Sequence, residues 1–241
     1  MTAVIAGRKL TAGYGPVPAV VDIDIEVNPG EVVALLGANG AGKTTTLMAL
    51  AGAVPVSSGD VLWDGLNTHA PLSRRARMGM SLVTEERSTF AGLTVRQNLR
   101  IAHCEIEEVV RQYPELAGHL ERKVGLLSGG QQQILALARA LSRKPHALLA
   151  DELSLGLAPQ IVSRLLAAVR TAADQGVAVL LVEQHVHKAL KIADRVCILR
   201  QGRIDWTGTV SEAQAMRSEI EESYLTGRKA GGSNESADLA R

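Results

Sequence analysis

Apolar and polar residues alternate along 21–27, with Val21, Ile23, Ile25 and Val27 set against Asp22, Asp24 and Glu26. A period of two is that of a half-buried strand, the kind found in antiparallel sheets. Asn28-Pro29-Gly30 then marks a turn. Residues 32–36 are continuously apolar, as in a strand buried on both faces, and they run straight into a glycine-rich stretch. Residues 44–51 read as a helix. Short strands are predicted at 61–63, 80–83, 147–150, 177–182 and 196–199, with a further one at 203–205 after the turn Gln201-Gly202. Thr94-Val95-Arg96-Gln97 has the form of a capping box and opens a helix. Helical spacing recurs at 106–120, interrupted by Pro114, and at 131–141, 159–174, 187–193 and 219–225. Gly176 stands just past the end of the 159–174 helix, where a helix stop is expected.

Buried strands alternating with helices after the glycine-rich stretch predict an α/β fold with a mostly parallel sheet. The earlier alternating strands predict a small antiparallel sheet beside it. Residues 90–141 are helical without a strong strand and read as an inserted α-helical subdomain. Residues 1–227 thus form one expected domain, and 228–241, rich in Gly, Ser, Ala and charge, read as a loose tail. There is no internal repeat.

Composition narrows the function classes. In 241 residues, 46% hydrophobic and 21% charged residues are enough for a well-buried core, so bulk disorder is excluded. The net charge of +1 lacks the basic surplus of a dedicated nucleic-acid binder. Cys104 and Cys197 lie far apart without metal-ligand spacing and read as buried free thiols. No apolar run approaches the roughly 18–20 residues of a membrane span. A cytoplasmic chain is expected, held at a membrane only through other subunits.

Gly37-Ala38-Asn39-Gly40-Ala41-Gly42-Lys43-Thr44 matches G-x-x-x-x-G-K-[ST], with a buried strand before it and a helix after it. Glycines let the backbone curl so that its N–H groups face phosphates, and the helix N-terminus adds partial positive charge. Lys43 is placed to bridge β- and γ-phosphates and Thr44 to hold Mg²⁺, with Thr45 following in the same turn. Leu148-Leu149-Ala150-Asp151-Glu152 is an apolar strand ending in two acids. At that position Asp151 would reach the Mg²⁺ and Glu152 would act on the attacking water.

Between these motifs stands Leu127-Ser128-Gly129-Gly130-Gln131. Phosphate loop, pentapeptide and acidic pair, in this order, resemble the ATP-binding cassette (ABC) ATPases over about residues 3–227. The resemblance implies a P-loop NTPase core of RecA-like type and ATP and Mg²⁺ as ligands. It also implies ATP hydrolysis in a head-to-tail pair with a second ABC ATPase subunit. Ser128, Gly129, Gly130 and Gln131 would then meet the nucleotide held by the partner. Tyr14 resembles the residue that stacks on adenine, and Ser154-Leu155-Gly156-Leu157 occupies the position of the loop after the acidic pair. A finer similarity is to ATPases of branched-chain amino-acid importers, carried by residues 83–87, Phe90, 93–99, 154–159, 182–184 and Tyr224-Leu225. It implies transmembrane permease subunits, an indirect link to a solute-binding protein, and a peripheral place on the inner face of the cell membrane.

Several positions depart from the family pattern. Glu85 stands where most members have Gln and is expected to share the metal. Gln184 stands where most have His and is expected to sense the γ-phosphate, with His185 as the alternative. Leu153 and Thr84 replace prolines, and Leu153 is expected to loosen the turn after Glu152. The alternatives left open are a weakly hydrolysing regulatory subunit, an exporter ATPase and an ABC ATPase outside transport. The sequence does not distinguish a homodimer from a heterodimer with a sister ATPase, the resemblance favouring the latter in the cell, and the transported solute is not written in this chain.

Overall fold

The structure is a computed structural model that describes residues 2–86, 88–216, 218 and 220. The helix expected at 219–225 lies, apart from Ile220, outside the described residues, as does the 228–241 tail.

Two sheets organise the chain. The first is antiparallel, in the order β2-β1-β4-β5, built from β1 (Ile5–Ala12), β2 (Val20–Val27), β4 (Val56–Trp63) and β5 (Leu66–Asn67). The second has six strands in the order β10-β9-β3-β8-β7-β6. It contains β3 (Val32–Leu36), β6 (Met80–Val83), β7 (Ala147–Asp151), β8 (Ala178–Glu183), β9 (Arg195–Arg200) and β10 (Arg203–Thr209). All its neighbours run parallel except β10, which pairs antiparallel with β9. The parallel sheet beside a small antiparallel one agrees with the sequence reading.

Helices cover the large sheet. They are α1 (Lys43–Ala51), α2 (Leu72–Arg77), α3 (Val95–Ile101), α4 (Ile106–Gln112), α5 (Gly129–Leu141), α6 (Pro159–Asp174), α7 (Val186–Ala189) and α8 (Val210–Ala215). Short 3₁₀ turns, Pro114–His119 and Val124–Leu126, join α4 to α5. Pro114 ends the helical run because it lacks a backbone N–H, and what continues is 3₁₀. Thr94 caps α3 by accepting from the Gln97 N–H, while the Gln97 side chain accepts from the Thr94 N–H.

The apolar strands of the large sheet divide their side chains among three buried clusters, the smallest of which joins Ala34 and Leu36 of β3 and Val196 and Ile198 of β9 to α7 and α8. Leu148, Ala150, Val179 and Leu181 face a cluster with Leu135 of α5, Leu165 and Val169 of α6, and Leu99 and Leu116 of the insert. Val33, Leu35, Leu149, Leu180 and Val182 face the other side, with Leu47 and Leu50 of α1 and the antiparallel sheet. This period of two within continuously apolar strands is what burial on both faces requires. Helices α3 and α4 share the core containing Leu148 with α5 and α6, and the pentapeptide lies at the first turn of α5.

Several elements are not predicted by the apolar pattern, among them β1, α2, β5, α8 and the first half of β4. Strand β1 has two exposed residues in a row, Arg8 and Lys9, where its pairing register shifts, so its alternation breaks. Strand β4 begins at Val56 and includes Ser57-Ser58-Gly59, which reads as a turn but pairs with β1. Helix α2 has no apolar stripe of its own. Its Arg75 is 3% exposed and donates to the carbonyls of Ala70, Ala49, Leu50 and Thr68, closing the C-terminal end of α1.

Candidate active site

The carboxyl ends of three adjacent strands converge at one edge of the large sheet. Leu36, the last residue of β3, is in register with Glu183, the last of β8, and Asp151, the last of β7, is in register with Val182. The phosphate loop, the acidic pair and Gln184 therefore leave the sheet side by side. Ligands of open α/β sheets bind at this edge.

The loop between β3 and α1 closes tightly on its surroundings. Gly42 has φ +105°, and a Cβ there would stand 2.5 Å from Val20 Cγ1. A Cβ at Gly37 would stand 2.4 Å from the Leu199 carbonyl oxygen. Both contacts exclude any larger residue. Ala41, 7% exposed, packs in the core, while Asn39 and Gly40 are exposed at the tip. Lys43 and Thr45 are buried in the first turn of α1, and Thr44 points out of it. Lys43 Nζ donates to the carbonyls of Gly37 (2.9 Å) and Ala38 (3.1 Å) and lies 3.8 Å from Glu152 Oε1. Burial lowers the Lys43 pKa, while Glu152, Asp151 and Glu183 pull it back up.

The acids differ in environment. Asp151 is 2% exposed, and burial raises its pKa; a hydrogen bond from Thr44 opposes this, and the charges of Glu152 and Glu85 add to it. Glu85, exposed on the turn after β6, is thus brought to the same edge. Glu152 has φ +47°, an uncommon left-handed conformation for a side chain of its kind. Its N–H donates to the Val182 carbonyl at 2.9 Å. Gln184 is half-buried directly after β8. His185 is exposed, at the N-terminal cap of α7, with its ring 6.2 Å from that of His187.

The pentapeptide opens α5. Ser128 is the N-cap and accepts from the Gln131 N–H, and the Gln131 side chain returns the bond to the Ser128 N–H at 3.0 Å. Gln131 Nε2 also pairs with His119 Nε2 at 2.9 Å. Ser128 itself is exposed and Gly129 and Gly130 are half-buried, so the first turn of a 13-residue helix is presented outward. Tyr14 is 72% exposed on the β1–β2 connection, whose end at Ala19 and Val20 abuts Gly42.

Comparison with known proteins agrees with this constellation. Residues 20–154 match the family model described as ABC transporter. The branched-chain amino acid transport ATP-binding protein BraG of Pseudomonas aeruginosa is 38% identical over 229 residues, covering 91% of this chain and 98% of that protein. The probable branched-chain amino acid transport ATP-binding protein LivF of Archaeoglobus fulgidus is 36% identical over 215 residues, covering 85% and 91%. Among solved structures, an ATP-binding subunit of an ABC transporter superposes with a TM-score of 0.79 at 25% identity, covering 92% of this chain and 98% of that one. The ADP conformation of an ATP-binding cassette shares the fold, with a TM-score of 0.83 over 94% of this chain and 100% of that chain.

The chain belongs to the ABC transporter family. It is an ATP-binding cassette subunit and an ATPase.

The cassette's residues also fit a hard divalent cation. Asp151 Oδ1 is buried with no hydrogen-bond partner, at the strand end beside Thr44. Among the described residues no cluster of three His, Cys, Asp or Glu side chains forms a ready cage. One carboxylate, one hydroxyl and substrate phosphates are the usual donor set for Mg²⁺. Among the described residues no helix is long and apolar enough to cross a membrane. Cys104 and Cys197 are free and buried, and burial pushes both thiols up.

One residue of the cassette has contacts that its sequence position does not reveal, and a second departs from its expectation. Glu183, 1% exposed, accepts from the Ser154 N–H at 3.2 Å and from the Ser154 hydroxyl at 2.9 Å. Its position in an otherwise apolar strand, next to Gln184, is the available signal. Leu153 corrects an expectation: the turn after Glu152 is anchored rather than loosened. Leu153 is 1% exposed in the core shared by α5 and α6, and both neighbouring N–H groups are bonded.

Proposed function

We propose that this cassette energises the import of branched-chain amino acids or a related polar solute. In this reading it acts as a peripheral subunit on the inner face of the cell membrane. It works as a pair with a second cassette, docked on permease subunits that receive solute from a solute-binding protein. The observation that carries the solute class is the 38% identity to a branched-chain amino acid transport subunit across nearly the full length of both chains.

The geometry supports the following assignment of roles. The loop N–H groups from Gly37 to Thr45 and the start of α1 would cradle the phosphates, with Lys43 turning from the Gly37 and Ala38 carbonyls to the β- and γ-oxygens. Tyr14 would stack on adenine. Thr44 and Asp151 would hold Mg²⁺ with Glu85 close by, and the ion supplies charge neutralisation on the phosphates. Glu152 would polarise the attacking water and take its proton. Gln184 would donate a hydrogen bond to the γ-phosphate. Ser128, Gly129, Gly130 and the first turn of α5 would present N–H groups to the γ-phosphate held by the partner, with Gln131 locking the cap. The Ser128 cap and the anion site are compatible, because the cap uses one N–H and leaves others facing out.

Uptake of radiolabelled leucine in cells deleted for this chain tests the reading. Uptake falls on deletion and returns with the wild-type chain but not with Glu152→Gln. Leucine uptake unchanged by deletion contradicts the solute class.

A further inference from the structure

We propose that Glu183 is a positioning residue for hydrolysis: its buried carboxyl clamps Ser154 and so holds Glu152 in its left-handed conformation. The proposal rests on Glu152 being the residue that acts on water.

The geometry is a short bracket. Glu152 at φ +47° stands in the left-handed region, which L side chains other than Asn and Asp rarely adopt. A strained residue persists only where its flanks are fixed. On one side, the Glu152 N–H bonds Val182. On the other, two residues on, both carboxyl oxygens of Glu183 take Ser154, Oε1 from the N–H and Oε2 from the hydroxyl. Leu153 between them is sunk in the core. Both fixing points come from consecutive residues of β8, so the strand that carries Gln184 also sets the position of Glu152.

A second layer ties the bracket to α7. Lys188 Nζ reaches the same Ser154 hydroxyl at 3.2 Å. Ser154 is 2% exposed and Glu183 1%, so neither is a solvated surface pair. A buried carboxyl is expensive to keep and needs complete hydrogen bonding. An apolar residue would serve β8 as well if the strand's only duty were to fill the core, since Val182 and Leu181 do so. Glu183 spends its two oxygens on the turn that begins with Glu152.

A positioning role separates chemistry from binding. Ser154 bonds Glu183 and Lys188, whereas Lys43 is held by the Gly37 and Ala38 carbonyls, so ATP affinity is expected to stay while turnover falls. ATP turnover and the Kd for a fluorescent ATP analogue are measured for wild type, Glu152→Gln, Glu183→Ala, Glu183→Gln, Ser154→Ala and the Glu183→Ala/Ser154→Ala double variant. Displacement of a catalytic group costs about 10- to 100-fold in kcat. Glu183→Ala is expected to lose that much with Kd within about twofold of wild type. Glu183→Gln, which keeps an acceptor for the Ser154 N–H and the same volume, is expected to recover most of the rate. Ser154→Ala is expected to lose less than Glu183→Ala, and the double variant no more than Glu183→Ala, because both act through one contact.

Wild-type turnover in Glu183→Ala overturns the clamp, as does a Kd that rises in step with the fall in kcat. Should Glu183→Ala not fold, Ser154→Ala with wild-type kcat overturns it equally. Full turnover in Glu152→Gln overturns the base assignment and the clamp together. An inactive Glu152→Gln beside a fully active Glu183→Ala removes the clamp alone.

Discussion

Lys43 Nζ lies 3.8 Å from Glu152 Oε1, joining the first turn of α1 to the residue that leaves β7. The two side chains belong to separate motifs more than a hundred residues apart. Parallel register between β3, β8 and β7 brings them together. The lysine of the phosphate loop and the carboxyl proposed to act on water thus share one small polar site.

Lys43 is nearly buried, so its charge is expensive to place there and is kept by loop carbonyls and acids. Lys43→Ala is expected to weaken ATP binding by about 10- to 100-fold, the worth of a charge-assisted hydrogen bond of roughly 1.5–3 kcal/mol. Calorimetric titration with ATP measures it, and an unchanged Kd counts against the phosphate role.

Gly42 combines a positive φ with a contact that a Cβ cannot make. Gly42→Ala is expected to lower stability by roughly 1–3 kcal/mol and to reduce ATP affinity as well. Thermal melting checks the first effect and nucleotide titration the second. A variant that melts with wild type contradicts the steric argument.

Asp151 has an orphaned buried oxygen beside Thr44. Asp151→Asn is expected to abolish Mg²⁺-dependent turnover while the fold persists. In wild type, EDTA is expected to stop hydrolysis reversibly. Turnover that is indifferent to EDTA overturns the metal assignment.

Glu183 gives a pH signature. Burial raises its pKa from 4.5 to about 7, against hydrogen bonds from Ser154 and the charge of Lys188, with the Glu152 charge adding to the rise. A raised carboxyl pKa contributes stability that is fully present below pH 4.5 and lost as pH rises through about 7. The upper limit is roughly 3 kcal/mol. Glu183→Gln does not titrate, so its stability relative to wild type is expected to improve between pH 5 and pH 8. Urea melts at the two values measure it, and parallel curves contradict the assignment.

Much of this was legible because the chemistry is local. Gly37 to Thr44, Ser128 to Gln131 and Asp151-Glu152 are each contiguous, and the continuous apolar runs before them marked buried parallel strands. What was not legible depends on partners distant in sequence. Arg8 and Lys9 interrupt β1 because a register shift turns them outward. Arg75 makes α2 useful through carbonyls of other elements. Leu153 looked like a missing proline, and its anchoring rests on a core assembled from α5 and α6. Glu183 looked like part of a branch signature, and its function resides in Ser154, 29 residues away.

The central claim is that this cassette hydrolyses ATP with Glu152 as the group that acts on water. Single-turnover hydrolysis by Glu152→Gln, measured beside its ATP affinity, tests it most directly. A loss of turnover of at least about 100-fold is expected, with ATP still bound. Turnover at the wild-type rate in Glu152→Gln would contradict it.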